Sequence, residues 1–326
     1  MSEGRVSIQP TAGPVVVGIG EALYDMLAPG PVLGGAPVNA AVQAAQLLAL
    51  LGVPGGRAAV ATRVGSDDLG RRFLADVGGR GLDVSAVQVD DERPTGTAVI
   101  ELDHGEPSFS ITADVAWDRV AFDASWQALA PASAAVCFGT LGRRTPPAAR
   151  AIERFLAAAP QAVRLFDVNL RAPFFSAESL VSGCRLATML KVNEQELPMV
   201  AAALGLPAAA AGGPLPEPQL ARQLEAVRTT ANLEAVVLTR GTAGAAMATA
   251  AGLATVPARC FPPRDDADTI GAGDAFGAAV VVGRLLEWPP ERILDVAARA
   301  AGFVASQPGA TPVLPADLLV ASRSAR

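Results

Sequence analysis

Pro14-Val15-Val16-Val17-Gly18-Ile19-Gly20 is a β-branched run closed by glycines, and it reads as a buried strand that runs into a turn. Downstream, Gly34-Gly35-Ala36-Pro37-Val38-Asn39 leads into a helix from about Val38 to Leu51, with Val38, Ala41, Val42, Ala45 and Leu48 at three-and-four spacing. Gly52 stops it. The alternation then repeats: strands are expected near Ala58–Val64, Ala134–Phe138, Val163–Val168, Met189–Val192 and Ala235–Thr239. Helices are expected near Leu69–Gly78, Pro147–Ala158 and Gly273–Leu286. Alternating elements of this kind predict an α/β fold whose central sheet is mostly parallel and covered on both faces.

Three stretches break the rhythm. Tyr24–Leu33 and Thr95–Ile111 read as strands of a small separate sheet, the second with a hairpin turn at Asp103-His104-Gly105-Glu106. Gly205–Gln219, rich in Ala, Gly and Pro, reads as a surface loop between helices. The polar residues before Pro14 read as loose, and no internal repeat is visible.

Composition excludes several chemistries. The 326 residues carry 26 Lys plus Arg against 32 Asp plus Glu, a net charge of −6, which argues against a nucleic-acid partner. Lys191 is the only lysine, and no Gly-Lys-Ser/Thr phosphate loop can be written around it. One histidine, His104, rules out a His-rich zinc site. Gly18-Ile19-Gly20-Glu21-Ala22-Leu23 begins like a dinucleotide fingerprint but has Leu23 where the third glycine is required. Hydrophobic residues make up 51% of the chain and charged ones 18%, enough apolar material for a large core. Cys137, Cys184 and Cys260 are far apart and without C-x-x-C spacing, which suits reduced thiols and a cytoplasmic location. No signal-peptide pattern or membrane-length apolar run is present, so a soluble, unprocessed chain without a membrane partner is expected.

The segment richest in chemistry is Asp268-Thr269-Ile270-Gly271-Ala272-Gly273-Asp274-Ala275-Phe276. Two glycines bracket an alanine where a helix begins, so backbone N–H groups and the positive helix end can meet an anion together. Asp274 sits in the first turn, placed to act as a base where a phosphoryl group meets a hydroxyl. Alone, the string also suits an ordinary helix start with a favourable Asp. Asp25 and Asn39 offer a short carboxylate and an amide to neighbouring hydroxyls, although Asp25 at a strand exit equally suits a turn. Arg171 follows Asp167 and Asn169 at a strand end, where its planar fork can match phosphate oxygens. Asn193 and Glu196, three apart at a helix start, can face one hydrated Mg²⁺ or simply form a solvated face.

Taken together these strings resemble the PfkB family of carbohydrate kinases, which has the ribokinase-like fold. Gly34–Asn39 is similar to the family's first signature and Asp268–Phe276 to its second. Between them, Arg63–Gly70 resembles its G-x-D-x-x-G turn, Asp167–Arg171 its D-x-N-x-R, Lys191–Glu196 its N-x-x-E, and Thr239–Gly244 its T-x-G-x-x-G nucleotide loop. The match runs in order from about Val15 to Pro315.

The resemblance implies one three-layer domain over residues 1–326, with a small β lid from about 22–35 and 94–118, and ATP-dependent phosphorylation of a sugar hydroxyl. It implies Asp274 as base, the N–H groups of Gly271, Ala272 and Gly273 as the anion hole, and Arg171 with Mg²⁺ on the phosphates. By the same resemblance Asp25, Gly34, Gly35 and Asn39 contact the sugar, and Asn193, Thr239, Gly241 and Gly244 the nucleotide. Glu196 and Asn193 hold Mg²⁺ through water, and carbonyls near Asp268, Ile270 and Gly309 hold a monovalent cation such as K⁺. Gly34-Gly35-Ala36-Pro37, with Phe109-x-Ile111 and Ala116-Trp117-Asp118, looks like fructokinases; ribokinases usually read Gly-Gly-Lys there. The Tyr and Arg that 2-keto-3-deoxygluconate kinases place near Ser110–Ala113 are missing. Fructose is therefore the first expectation, another ketose or keto-acid the second and a nucleoside the third, with a catalytically silent sugar-binding regulator as the rival. A lid of apolar strands could also pair two copies as a homodimer.

Overall fold

Residues alternate between the two faces along the first strand, β1 (Val15–Ile19), and both faces are apolar. Val15, Val17 and Ile19 join one buried cluster and Val16 the other. A strand with two apolar faces needs cover on both, and three layers supply it. The computed structural model describes residues 13–27, 30–103, 106–207 and 216–319. After β1 come β2 (Leu23–Leu27), β3 (Gly30–Gly34), α1 (Ala36–Leu50), β4 (Arg57–Gly65), α2 (Asp68–Gly79), β5 (Val87–Asp90), β6 (Gly96–Asp103) and β7 (Glu106–Ile111). The middle runs through α3 (Ala124–Leu129), β8 (Ala135–Gly139), α4 (Pro146–Ala157), β9 (Val163–Asp167), α5 (Ala177–Leu186), β10 (Met189–Asn193), α6 (Glu196–Ala203) and α7 (Glu217–Thr230). The chain continues through β11 (Ala235–Thr239), β12 (Ala245–Thr249), β13 (Gly252–Val256), α8 (Ala272–Leu285) and α9 (Pro290–Val304).

The main sheet has nine strands in the order β13-β12-β11-β10-β9-β8-β1-β4-β5. Pairing is parallel from β5 to β11, and antiparallel only where β12 and β13 extend the edge. Side chains from α1, α2, α8 and α9 fill the cluster on one face, and those from α3 to α7 fill the other. Strand order reverses at β1, which goes to β4 on one side while β8 to β11 build outward on the other. The C-terminal ends of β1, β8 and β9 therefore border a crevice, where open α/β sheets collect ligands.

The second sheet, β3-β2-β6-β7, stands over that crevice. Its register puts Asp25 beside Ala98, and Ala98 opposite Ile111, so these side chains share the face turned to the crevice. Met26 and Val99 lie on the other face, each over a third exposed.

Three boundaries differ from the sequence reading. α1 begins at Ala36 rather than Val38, because Pro37 in the first turn lacks only an N–H that the helix leaves unpaired. The second leg of the small sheet ends at Ile111 and does not reach residue 118. Trp117 and Asp118 are buried in the main body, where Asp118 takes two 2.8 Å hydrogen bonds from the Arg144 guanidinium, itself stacked 3.9 Å from the Trp117 ring centroid. The loop expected up to Gln219 ends earlier, since α7 starts at Glu217; residues 208–215 of it lie outside the described residues, as do His104 and residues 1–12. The β6–β7 pairing of Asp103 with Glu106 makes the expected hairpin. Among the described residues no helix is long and apolar enough to cross a membrane.

Candidate active site

Gly271 leads into α8 with φ of 77°, and a Cβ there would lie 2.3 Å from the Ala310 carbonyl oxygen. Only glycine fits a left-handed turn that close to another backbone. The first helical turn is then Ala272-Gly273-Asp274, whose N–H groups have no partner one turn back. The Ala272 N–H turns weakly to the Thr269 carbonyl at 3.3 Å, which leaves Gly273 and Asp274 as the better anion donors of the expected hole.

Two cavities meet at this turn. One, of about 480 Å³, lies under the small sheet and is walled by Asp25, Asn39, Asn169, Arg171 and Asp274. The other, of about 430 Å³, runs along α8 and α9 and is walled by Thr239, Gly241, Phe276, Ala301 and Ser306. Thr269 and Gly273 belong to both walls. An anion held at Gly273 would face each cavity.

Charge is concentrated on the first side. Asp274 is buried, and its Oδ2 accepts a 2.8 Å hydrogen bond from the Asn39 amide. Burial, with the negative charge of Asp167, pushes its carboxyl up to about 6 against the Asn39 bond and the charges of Lys191 and Arg171. Behind it, Lys191 Nζ donates to both Asp167 oxygens at 2.9 and 2.8 Å. Burial lifts the Asp25 carboxyl above its ordinary range and Asp268 adds to this, while Arg171 opposes it. Arg171 is exposed at the cavity mouth, with Nη1 on the Leu170 carbonyl. A Cβ at Gly34 would come within 2.8 Å of Asp25 Oδ2 and push that carboxylate aside; one at Gly35, at φ 104°, would press on the Glu21 carbonyl.

The architecture and this junction agree with the sequence comparison: the model of the pfkB family carbohydrate kinase matches residues 29–317. The chain belongs to the pfkB family of carbohydrate kinases. It is 26% identical over 317 residues to a fructokinase of Salmonella typhimurium, covering 91% of this chain and 95% of the relative. Against a fructokinase of Klebsiella pneumoniae it is 28% identical over 299 residues, 86% and 87% of the two chains. The solved structure of a Xylella fastidiosa fructokinase with bound ATP superposes with a TM-score of 0.76 at 22% identity, covering 94% of this chain and 97% of that one.

For a pfkB-family kinase, several expected residues stand differently from their reading. Asn39 donates one amide N–H to Asp274, which leaves its second N–H and the buried, unpartnered Oδ1 for a sugar. Asn193 and Glu196 wall neither cavity. They bracket the turn into α6: Asn193 Oδ1 accepts from the Gln195 and Glu196 N–H groups, and the Glu196 oxygens accept from Asn193 and Leu170. A reciprocal cap of this kind uses the side chains that were expected to face a hydrated ion. Among the described residues no cluster of three or more Asp, Glu, His or Cys side chains could hold a metal. Gly244 borders the second cavity, but its missing Cβ makes room for the Val256 carbonyl, which would lie at 2.0 Å. Asp268 does gather Ile270 and Gly309: its carboxylate accepts their N–H groups at 2.8 and 2.9 Å, so a cation there would have only carbonyls to use.

Two residues that sequence reading passed over stand in the site. Lys191 counted only as a scarcity, although a lone charge inside the apolar strand Met189-Leu190-Lys191-Val192 signals a buried pair. Glu21 has no role in the sequence reading beyond the string Gly18–Leu23, yet it walls the charged cavity.

Proposed function

We propose that this sugar kinase transfers the γ-phosphoryl group of ATP to a hydroxyl of a neutral sugar, with fructose the first acceptor to try. The observation that carries the reading is the meeting of an apolar cleft and a carboxylate-lined pocket at the first turn of α8. Asp274 takes the acceptor proton, the Gly273 and Asp274 N–H groups hold the developing phosphate charge, and Arg171 at the mouth faces the transferred group. Asp25, Gly34, Gly35 and the free Oδ1 of Asn39 meet the other hydroxyls. Thr239, Gly241 and Gly244 border the nucleotide. Mg²⁺ bound with the triphosphate would spread its charge; Asn193 and Glu196, already bonded to backbone, do not form a ready site for it, and no step here depends on them. The small sheet closes over the pocket as a lid on one catalytic domain, and carbonyls around Asp268, Ile270 and Gly309 are the place for K⁺.

Glu21, Asp25 and Asp274 face this pocket with Arg171 as the cation of its wall, which disfavours an acceptor that brings its own carboxylate, such as 2-keto-3-deoxygluconate. ADP release measured over a panel of ketoses, aldoses, sugar acids and nucleosides tests the reading. Turnover with fructose or another neutral sugar is expected. Preference for a sugar acid would overturn the neutral assignment, and silence across the panel would favour a sugar-binding regulator.

A further inference from the structure

Beneath the acceptor pocket, and sharing Glu21, Asn169 and Asp274 with it, lies a small space of about 20 Å³ between the ends of β1, β8 and β9 and the first turn of α8. Its polar walls are Glu21, Asp274, Asp167, Asn169 and Thr140. A space of that size holds one water. Glu21 and Asp274 also wall the acceptor pocket, so both reach from one space to the other. Glu21 is 3% exposed, and its Oε2 has no hydrogen-bond partner. That oxygen lies against Gly142, where a Cβ would approach to 3.0 Å. An orphaned carboxyl oxygen, a water-sized space and the base thus share one wall.

We propose that Glu21 receives, through one water in this space, the proton that Asp274 takes from the acceptor hydroxyl. The proposal rests on Asp274 being the base. In the transfer, the acceptor O–H bond breaks as its oxygen bonds to phosphorus, and the bond from phosphorus to the bridging oxygen of the departing nucleotide breaks. The proton goes to the Asp274 carboxylate. Asp274 then gives it to the water, which passes one of its own to Glu21, so the water is unchanged and Asp274 is ionised again. Glu21 releases the proton to solvent through the acceptor pocket once the product leaves. Asp274 needs such a partner because it is buried and a sugar seated in the acceptor pocket covers the face it turns to solvent.

The electrostatics run in the right direction. Burial, with the charge of Asp274, pushes the Glu21 carboxyl up to about 7 against its own and the Ala36 N–H groups and Arg171. Asp274 is pushed up to about 6, so both carboxyls stand where each can take and give up a proton near neutral pH. The charged groups facing Glu21 are Asp274 from α8, Arg171 after β9, Asp167 of β9 backed by Lys191 of β10, and Asp25 of β2 across the pocket. β8 and the turn after it add Thr140, Gly142 and Cys137, whose thiol burial pushes up to about 12 and which stays protonated. α1 contributes the Ala36 N–H and the Asn39 amide.

The test is the pH profile of kcat at saturating sugar and ATP for wild type, Glu21→Gln and Glu21→Asp. With both carboxylates required, log kcat of the wild type falls with slope two below about pH 6. Glu21→Gln lowers the plateau roughly fivefold or more and leaves a single-slope limb, moved to lower pH because a negative charge beside Asp274 is gone. KM for both substrates stays within about twofold. Glu21→Asp regains part of the plateau and the second slope. A wild-type slope of one, an unchanged Glu21→Gln plateau, or a rise in sugar KM alone would each overturn the relay. Thermal melting checks folding, and if Glu21→Gln does not fold the wild-type slope decides. Inactive Asp274→Asn beside an unaffected Glu21→Gln would sink only the relay, whereas active Asp274→Asn would sink the base assignment itself.

Discussion

The two cavities on either side of Gly273 are nearly equal in size, about 480 and 430 Å³, and opposite in chemistry. Three carboxyls and two amides wall one, two of those carboxyls pushed up to about 6 and about 7. Alanines, glycines and Phe276 dominate the other. The charged side holds groups whose proton state decides whether a bond is made. The apolar side holds a ligand by shape and burial, equally before and during the reaction. Substitutions on the first side should therefore change rate, and those on the second, affinity.

The largest break in that contrast is Asp274→Asn. Asparagine keeps the volume and can still accept the Asn39 amide bond, but it cannot take a proton. Turnover is expected to fall about 10²–10⁴-fold, roughly 3–5 kcal/mol of transition-state stabilisation. Stability should move the other way. A carboxyl whose pKa is raised on folding costs stability once pH rises through the unfolded and then the folded value, so at pH 8 the variant should melt no lower than wild type. ATP affinity, measured by titration, should hold or tighten as repulsion is lost. A rate within about threefold of wild type would reject the assignment.

Next comes Lys191→Met. Lys191 is buried and gives two hydrogen bonds to Asp167, so its loss strands a charge beside the base. Breaking such a pair typically costs about 3–5 kcal/mol, read here by denaturant unfolding. Lys191 also helps hold the Asp274 pKa down, so whatever folds should have its acid limb displaced to higher pH. Adding Asp167→Asn should recover most of the stability; no recovery would mean that the pair is not the cause.

These residues also show what sequence could and could not convey. β1, buried at every position and without a polar side chain, and the glycine-bounded start of α8 are local patterns, and they specified the layers and the junction directly. The small sheet was legible for the same reason, as two stretches out of rhythm. Contacts across the fold were not. Asn39 meets Asp274 across 235 residues, Lys191 meets Asp167 across 24, and Asp118 meets Arg144 across 26. A side chain's spacing says which face it shares, but not whether a distant partner has already taken its hydrogen bonds. Asn193 and Glu196 show the same gap: their spacing does not say that each also accepts backbone N–H groups within its own turn and beside it.

A pH series on the wild type sharpens the charged half further. A base of the kind proposed for Asp274 works ionised, and burial with Asp167 pushes its carboxyl up to about 6, so turnover should be level near pH 8 and fall at least tenfold per unit well below 6. ATP affinity in the apolar cleft should change far less over the same range. A rate that stays level to pH 4.5 would mean that Asp274 is not the titrating base.

The smallest effect belongs to the other cavity. Thr239 closes β11 at the wall of the apolar cleft, and its hydroxyl reaches the Val192 carbonyl only at 3.5 Å, the outer limit of a hydrogen bond. It is thus nearly free to meet a nucleotide. Thr239→Ala removes one neutral hydrogen bond from a mostly apolar wall that also carries Thr242, Thr269, Ser306 and Arg259, a change of about 0.5–1.5 kcal/mol. The ATP KM should rise about 2–10-fold, while kcat and the sugar KM stay level, because the bond is made equally in ground and transition states. Initial rates over a grid of ATP and sugar concentrations separate the three constants. If kcat fell in step with ATP affinity, the cleft would be steering the transferring group as well as holding the nucleotide, and the division of labour between the two cavities would not stand.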